Sequence, residues 1–359
     1  MPIHSIETFW KMNFSNIKSH VLSLVKVFWF LYLDSTMSNN TTAADVKWSE
    51  SLIVAYYPLT LIIVGTLLNL LTLIILCRPV FRDTRKQPVI HYMRTIAIFD
   101  ILMLYGWNFD HYLSIVHGFI LLTYSIATCK FFGFLNYFAA QSSAWLRVFI
   151  CLDRYLSASR LHRTWFSRPK SVLIIITSII VVFTLFNFHF FIFACYYRRN
   201  GTINPNAQLY TIYPLWDYIN LGVYNCAPFI LMVAFNSGVV YHLIRRRHAR
   251  IIQNSLIQHR AISITLLLTT FLFLIMTIPA TIVAAFFFTI PTTTLAKILD
   301  STLYTYHITS FPLYFITFDA FRQECIIMIT CKRNTRIIVP NRTITHPQCT
   351  PNEPQINTT

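Results

Sequence analysis

The chain has 359 residues, of which 55% are hydrophobic and only 12% are charged. Soluble domains carry about 25% charged residues, so the composition excludes one large soluble core and indicates an integral membrane protein. The net charge of +16 does not require a nucleic-acid partner, because the basic residues lie in short loops between apolar segments, as cytoplasmic loops do.

The first residues of the chain have two competing interpretations. Residues 21–33 form an apolar run after Lys11 and Lys18, with the length of a signal-peptide core but too short for a comfortable membrane span. Alternatively, translation begins at Met37. Residues 1–50 are assigned to an extracellular N-terminal tail, within which residues 1–36 are either signal-like or upstream of the true start and receive no functional role.

Seven hydrophobic segments are each long enough to cross a membrane as a helix, which needs about 20 apolar residues. Lysine and arginine are concentrated after the first, third and fifth segments, which predicts an extracellular N-terminus, a cytoplasmic C-terminus and basic inner loops facing membrane lipids. The predicted fold is an all-α membrane protein, a seven-transmembrane helix bundle over residues 51–318 followed by a cytoplasmic region, 319–359. The segments cover about 52–77, 91–113, 128–152, 171–194, 216–244, 261–289 and 296–318.

The predicted outer side also carries the signs of an oxidising, glycosylating compartment. Cys129 and Cys195 lie at outer ends of segments, where a disulfide is permitted. Asn39, Asn40 and Asn200 each begin an N-x-T sequon on the same side, and all three are expected to be glycosylated. None of the eight cysteines has metal-binding spacing, so no metal is expected.

Seven different short motifs occur one after another along the seven segments. They are Gly65-Thr-Leu-Leu-Asn69, Ile96–Asp100, Cys129 placed 25 residues before Arg154, Asp153-Arg154-Tyr155, Pro228, Phe273 placed six residues before Pro279, and Ser310-Phe-Pro-Leu-Tyr314 with Phe321-Arg322. Together they resemble the rhodopsin-like (class A) G-protein-coupled receptors, including the invertebrate neuropeptide receptors of the FMRFamide-receptor type. The resemblance covers about residues 50–325.

This resemblance implies a plasma-membrane receptor that activates a heterotrimeric G protein through outward movement of the sixth helix. The implied switch residues are Asp153, Arg154, Tyr155, Tyr314, Pro228, Phe273 and Pro279. It also implies a short amphipathic eighth helix, with Cys325 or Cys331 as palmitoylation sites. At low dielectric Asp153 can pair with Arg154 and hold it. The foot of the sixth segment carries His259 and Arg260 instead of an acid, so Asp153 is the expected restraint.

Asp100 is an acid in the middle of a membrane segment, which makes it a functional-site hypothesis with nearby polar partners. Asn69, Ser143 and Ser310 are the partners that we expect. The resemblance implies a sodium ion in this cluster, although Ser310 stands where the family usually has asparagine. A hydrogen-bonded cluster without an ion is the alternative, and no other cofactor is expected.

The outer ends of the segments suggest the class of ligand. Three acids, Asp110, Asp217 and Asp300, are predicted to line the mouth of one cavity with aromatic neighbours, which suits a cationic peptide. Ordinary exposed carboxylates are the alternative. Asn136 replaces the aspartate of amine receptors and cannot pair with an ammonium. The candidate pocket comprises Asp110, Asn136, Asp217, Thr277, Asp300 and Tyr304.

A β-hairpin lid in the loop after Cys195 is expected by analogy with peptide receptors.

Other function classes fit the sequence less well. A chemosensory receptor of the same fold, binding small environmental molecules, is the main alternative to a neuropeptide receptor. A transporter would need repeated halves and further acids at mid-depth. An enzyme would need paired catalytic groups, which the sequence lacks, so no enzymatic activity is expected.

Overall fold

The computed structural model describes residues 43–81, 88–159, 168–207, 215–247, 253–286 and 294–330. These residues are mostly helical, and helices occupy all seven hydrophobic segments. The predictions for residues 1–36, Asn39, Asn40 and Cys331 lie outside the described residues. The helices are α1 Ala43–Leu76, α2 Val89–Leu104, α3 Trp107–Val116, α4 Ile126–Ala158, α5 Pro169–Asn187, α6 His189–Ile192, α7 Leu215–Asn220, α8 Ala227–Arg247, α9 Gln253–Phe286, α10 Thr294–Tyr306, α11 Ser310–Thr317 and α12 Asp319–Thr330.

Five helical stretches are long and apolar enough to cross a membrane. Large apolar side chains, such as those of Leu67, Leu185, Ile230 and Phe271, are exposed on four of these stretches. Exposure of so many large apolar side chains is unusual for a water-soluble surface and is compatible with contact to lipid. The stretches are Tyr56–Leu76, Val89–Val116, Pro169–Ile192, Leu215–His242 and Ile264–Ala284.

The third predicted segment, α4, is the central helix and is not among those five. It has 33 residues, and it packs against α2, α5 and α8. Its composition is less apolar because Asn136, Gln141, Ser143 and Arg147 line its buried side. Their burial means that these polar groups are satisfied by the rest of the protein and not by lipid or water.

The seventh predicted segment is divided by a tight turn between α10 and α11. The backbone amides of His307, Ile308 and Thr309 each bond to the carbonyl three residues earlier, instead of the usual four. Pro312 lies one turn further on and has no N–H to offer to the Ile308 carbonyl, so regular helical bonding cannot continue through this point. The turn brings His307 into the core, where its side chain is fully buried.

A disulfide and a short hairpin lie at one end of the helices. Cys129 near the start of α4 is bonded to Cys195, so the predicted disulfide is present. Cys195 lies in β1, Ala194–Tyr197, which pairs antiparallel with β2, Ile203–Ala207. The hairpin expected in this loop is therefore present. We call this the disulfide end, and the end near Asp153 the opposite end.

At the opposite end, α12 lies against the end of α1. The Arg78 Nε is 3.2 Å from the Glu324 Oε2, and the Glu324 side chain is buried. Phe321 is fully buried, with its ring 5.7 Å from that of Phe311 and 5.8 Å from that of Tyr314. An ion pair on one side and an aromatic anchor on the other fix the helix to the core.

Candidate functional site

A buried carboxylate, Asp100 on α2, is the centre of the most polar region of the core. Its side chain is fully buried. The Arg147 Nη2 on α4 lies 2.7 Å from one carboxylate oxygen and 3.0 Å from the other. A buried charge is very costly without a partner, so this ion pair is what allows both residues to occupy the core. Sequence reasoning anticipated Asp100 but missed Arg147.

Three further side chains contact Asp100: those of Ser143, His307 and Ser310. We call these three residues, together with Asp100 and Arg147, the Asp100 cluster. The Ser143 hydroxyl donates to Asp100 at 2.8 Å, and the Ser310 hydroxyl donates at 3.2 Å. The His307 Nδ1 is also 2.8 Å from the carboxylate. An imidazole protonated at Nδ1 donates this bond. The cluster therefore ties α2 and α4 to the turn between α10 and α11.

Asn69 supports the cluster indirectly. Its side-chain nitrogen donates to the backbone carbonyl of His307 at 3.1 Å, so it holds the α10–α11 turn and not the carboxylate. Gly65, one turn earlier on α1, permits this close approach. A Cβ at Gly65 would lie 2.5 Å from Leu104 and 2.9 Å from Ile308. The predicted polar residues thus come together around Asp100, with Asn69 acting through the backbone of His307.

The geometry of the cluster does not fit a sodium ion. Arg147 contacts both oxygens of Asp100, and it also donates to the Ser143 hydroxyl through its Nη1. The guanidinium therefore occupies the oxygen ligands that a cation would need, and its permanent positive charge would repel a second cation. The charge balance of this site comes from the chain itself.

One aromatic ring packs against the guanidinium of Arg147 and belongs to a group of buried rings. The Arg147 Cζ lies 4.9 Å from the centre of the Tyr306 ring, within the range of a cation–π contact. Phe273 on α9 is fully buried, with its ring 5.6 Å from Tyr224 and 5.5 Å from Tyr306. These two rings bring the fifth and seventh segments into contact with the sixth at Phe273.

A π-helical turn, Leu221–Cys226, precedes Pro228 on the fifth segment. The Ala227 N–H bonds five residues back, to the Gly222 carbonyl. In this pattern the next carbonyl, that of Val223, would pair with residue 228, but proline has no N–H. The Trp145 indole Nε1 on α4 donates to the Val223 carbonyl instead, at 3.0 Å. Pro228 therefore creates an acceptor that a side chain from another helix satisfies.

The helix that contains Pro279 is held to the fifth segment by a small polar group. The Thr277 hydroxyl donates to the Asn225 side-chain oxygen at 2.8 Å, and the Asn225 nitrogen donates to the Thr281 hydroxyl at 2.5 Å. All three side chains are buried. Thr277, proposed from the sequence as a pocket residue, therefore holds two helices together on one side of Pro279.

At the opposite end of α4, the predicted ion pair is present. The Arg154 Nη2 is 2.9 Å from the Asp153 Oδ2, and both side chains are largely buried. Among the residues that the structure describes, the buried Nε of Arg154 has no hydrogen-bond partner. Tyr155 stacks on Phe235, with ring centres 6.0 Å apart. The side chains of His259 and Arg260 lie outside the described part of the structure.

The three acids at the disulfide end have different environments. Asp110 accepts bonds from the backbone amides of Leu121 and Leu122, at 2.6 and 3.3 Å. Asp217 accepts from the Tyr137 hydroxyl at 2.7 Å. Both acids are buried, and their hydrogen bonds stabilise the folded chain. Asp300 is about one-third exposed, at 32%, and its oxygen is 4.0 Å from the His111 Nε2. Of these three acids, Asp300 is the most accessible to a ligand.

Two other predicted pocket residues contact each other, and one of them, Tyr304, follows Asp300 by one helical turn. The Tyr304 hydroxyl on α10 donates weakly to the Asn136 side-chain oxygen on α4, at 3.4 Å. Both residues are buried. A Cβ at Gly106 would lie 3.1 Å from the same Asn136 oxygen, so the α2–α3 junction closes this region from a third side.

The modification sites predicted from the sequence differ in accessibility. Asn200 is exposed at the tip of the hairpin, where its side-chain oxygen accepts from the Thr202 amide at 3.2 Å and from its hydroxyl at 2.7 Å. Cys325 is buried on α12, and burial raises the pKa of its thiol. Because the thiolate is the nucleophile, this environment disfavours acylation of Cys325.

Spacing along α4 could have identified Arg147. It follows Ser143 by one helical turn and precedes Arg154 by two, so it lies on the same face as both.

Comparison of the chain with protein-family models and with curated proteins finds no match. Function is therefore inferred from the contacts described above.

Proposed function

We propose that the chain is a seven-transmembrane receptor of the rhodopsin-like class that binds an extracellular ligand and activates a heterotrimeric G protein. The proposal extends the five apolar stretches to seven by adding α4 and the α10–α11 pair. The polar side chains of α4 face inward, and the tight turn divides a segment of sufficient total length. A helix surrounded by other helices does not need an apolar surface on every side.

The observation that carries the proposal is the arrangement along α4. One helix joins the hairpin through Cys129 near its start, pairs with Asp100 through Arg147 in its middle, and carries the Asp153–Arg154 pair near its other end. The three contacts lie along a single helix of 33 residues. Such an element can couple an event at the disulfide end to one at the opposite end.

The release of Arg154 is the proposed output step. In the resting structure Asp153 holds the guanidinium by a bond of 2.9 Å. Loss of that bond would free Arg154 to contact a G protein once α9 moves outward. Pro279 weakens α9 seven residues before its end at Phe286, and the contact between Thr277 and Asn225 joins α9 to the fifth segment beside that point. A ligand that breaks this contact would favour the movement.

The proposed ligand is a neuropeptide with a cationic group. Asp300 is about one-third exposed at the disulfide end, while Asp110 and Asp217 are already bonded within the protein. A partly desolvated carboxylate binds an arginine side chain in a charge-assisted pair. The disulfide-tethered hairpin lies at the same end, where it would cover a bound peptide as a lid.

A peptide screen tests the proposal. Cells expressing the full chain and a G-protein activation sensor are exposed to a library of amidated neuropeptides that contain arginine. We expect at least one peptide to activate the wild type, to fail on Arg154→Ala, and to lose potency on Asp300→Asn. Surface expression of each variant is measured in parallel. Activation that survives Arg154→Ala at equal surface expression would contradict the proposed output step.

A further inference from the structure

The charge in the middle of the core is balanced internally. Asp100 is fully buried, and the Arg147 Nη2 contacts both of its oxygens. A guanidinium stays charged at all physiological pH values, so this compensation does not depend on the surrounding solution. A solution cation would need to displace a group that is covalently attached and already bonded to Ser143.

The groups around Asp100 would suit a small hard cation if Arg147 were absent. The carboxylate and the hydroxyls of Ser143 and Ser310 are all oxygen ligands, and both hydroxyls lie within 3.2 Å of the carboxylate. Oxygen ligands are what hard cations prefer. The His307 Nδ1 would remain 2.8 Å from the carboxylate, and a neutral imidazole donates a hydrogen bond there without balancing the charge. A carboxylate left buried without a counter-charge carries a large free-energy cost, so a cation that balances the charge would stabilise the variant.

We propose that Arg147 is a built-in counter-ion that makes the core independent of sodium, and that its removal uncovers a latent sodium site formed by Asp100, Ser143 and Ser310. This inference does not depend on the proposed receptor function. It concerns how a buried carboxylate is neutralised, and it applies to the folded chain without ligand or G protein.

The test is the apparent melting temperature of the full chain, purified in detergent, in sodium chloride and in choline chloride at equal ionic strength. The wild type is expected to melt at the same temperature in both salts. Arg147→Met keeps the aliphatic length but removes the charge. In choline it is expected to melt roughly 5–10 °C lower than the wild type, and to recover part of that loss as sodium is titrated in, with saturation.

Two further variants make the result specific. Asp100→Asn combined with Arg147→Met removes both charges, so it is expected to melt higher than Arg147→Met in choline and to show no response to sodium. Arg147→Gln is a second neutral variant with the same expectation as Arg147→Met, for use if the methionine variant does not accumulate.

Two results would overturn the inference. Stabilisation of the wild type by sodium relative to choline would show that the core already takes a cation, and this arm needs no variant. If the melting temperature of the neutral Arg147 variants does not change with sodium, no latent site exists. Because neither readout uses a ligand, these failures are distinguishable from a failure of the proposed receptor function.

Discussion

The indole of Trp145 is expected to stabilise the π-helical turn because it donates to the carbonyl that Pro228 leaves without a donor. Trp145→Phe removes this bond, which is 3.0 Å long, and reduces the contact with the Phe183 ring 6.2 Å away. An acceptor left without a donor costs about 1–3 kcal/mol. The lost apolar area adds about 1 kcal/mol. The apparent melting temperature should fall by roughly 5–10 °C.

A second substitution tests whether the proline is the cause. Pro228→Ala restores an N–H five residues after Val223, where the π-helical pattern needs a donor. In the double variant the Val223 carbonyl can accept from the backbone, so the loss of the indole should cost less than it does alone. We expect a coupling free energy of about 0.5–3 kcal/mol between the two positions.

The assay is thermal unfolding of the purified chain in detergent, followed for the wild type, both single variants and the double variant. All four proteins are compared at one scan rate, because unfolding of membrane proteins is often irreversible. Strictly additive effects of Trp145→Phe and Pro228→Ala would refute the assignment of Trp145 as the substitute donor.

Three further outcomes are expected. Gly238→Ala should lower the melting temperature, because its Cβ would lie 2.5 Å from the Tyr155 ring, while Gly222→Ala, with nothing within 4 Å, should not. Equal effects of the two would contradict the packing described here. Cys195→Ser should lower the free energy of unfolding by roughly 4 kcal/mol, because the lost disulfide joins residues 66 apart in sequence. The measurement is thermal unfolding of the variant and of the wild type, each with and without reductant. Asn200→Gln should remove a glycan detectable as a gel shift that glycosidase treatment abolishes, and an unshifted wild type would disprove modification there.

Much of the helical framework follows from the sequence because apolar runs of about 20 residues have few alternatives. The hairpin after Cys195 and the disulfide to Cys129 were also anticipated. The predicted segments did not reveal the internal breaks. The π-helical turn before Pro228 and the tight turn before Pro312 depend on which carbonyls find donors elsewhere, and a single sequence does not show these tertiary contacts.

The chemistry of the core was predicted less completely than its position. Asp100 stood out as an acid in an apolar segment, and its hydroxyl partners were anticipated. Arg147 was not predicted, because its spacing from Ser143 and Arg154 places it on their face of α4 but does not identify Asp100 as its partner. The acids near the disulfide end looked equivalent in sequence. Their different roles depend on the Leu121 amide that Asp110 binds and the Tyr137 hydroxyl that Asp217 binds.

The central claim is that the Asp153–Arg154 pair restrains a signalling output, and ligand-independent G-protein activation tests it most directly. Wild type, Asp153→Asn, and Asp153→Asn combined with Arg154→Ala are compared at equal surface expression. The account predicts a higher basal signal for Asp153→Asn than for the wild type, and a signal at the level of untransfected cells for the double variant. An Asp153→Asn signal no higher than the wild type would contradict it.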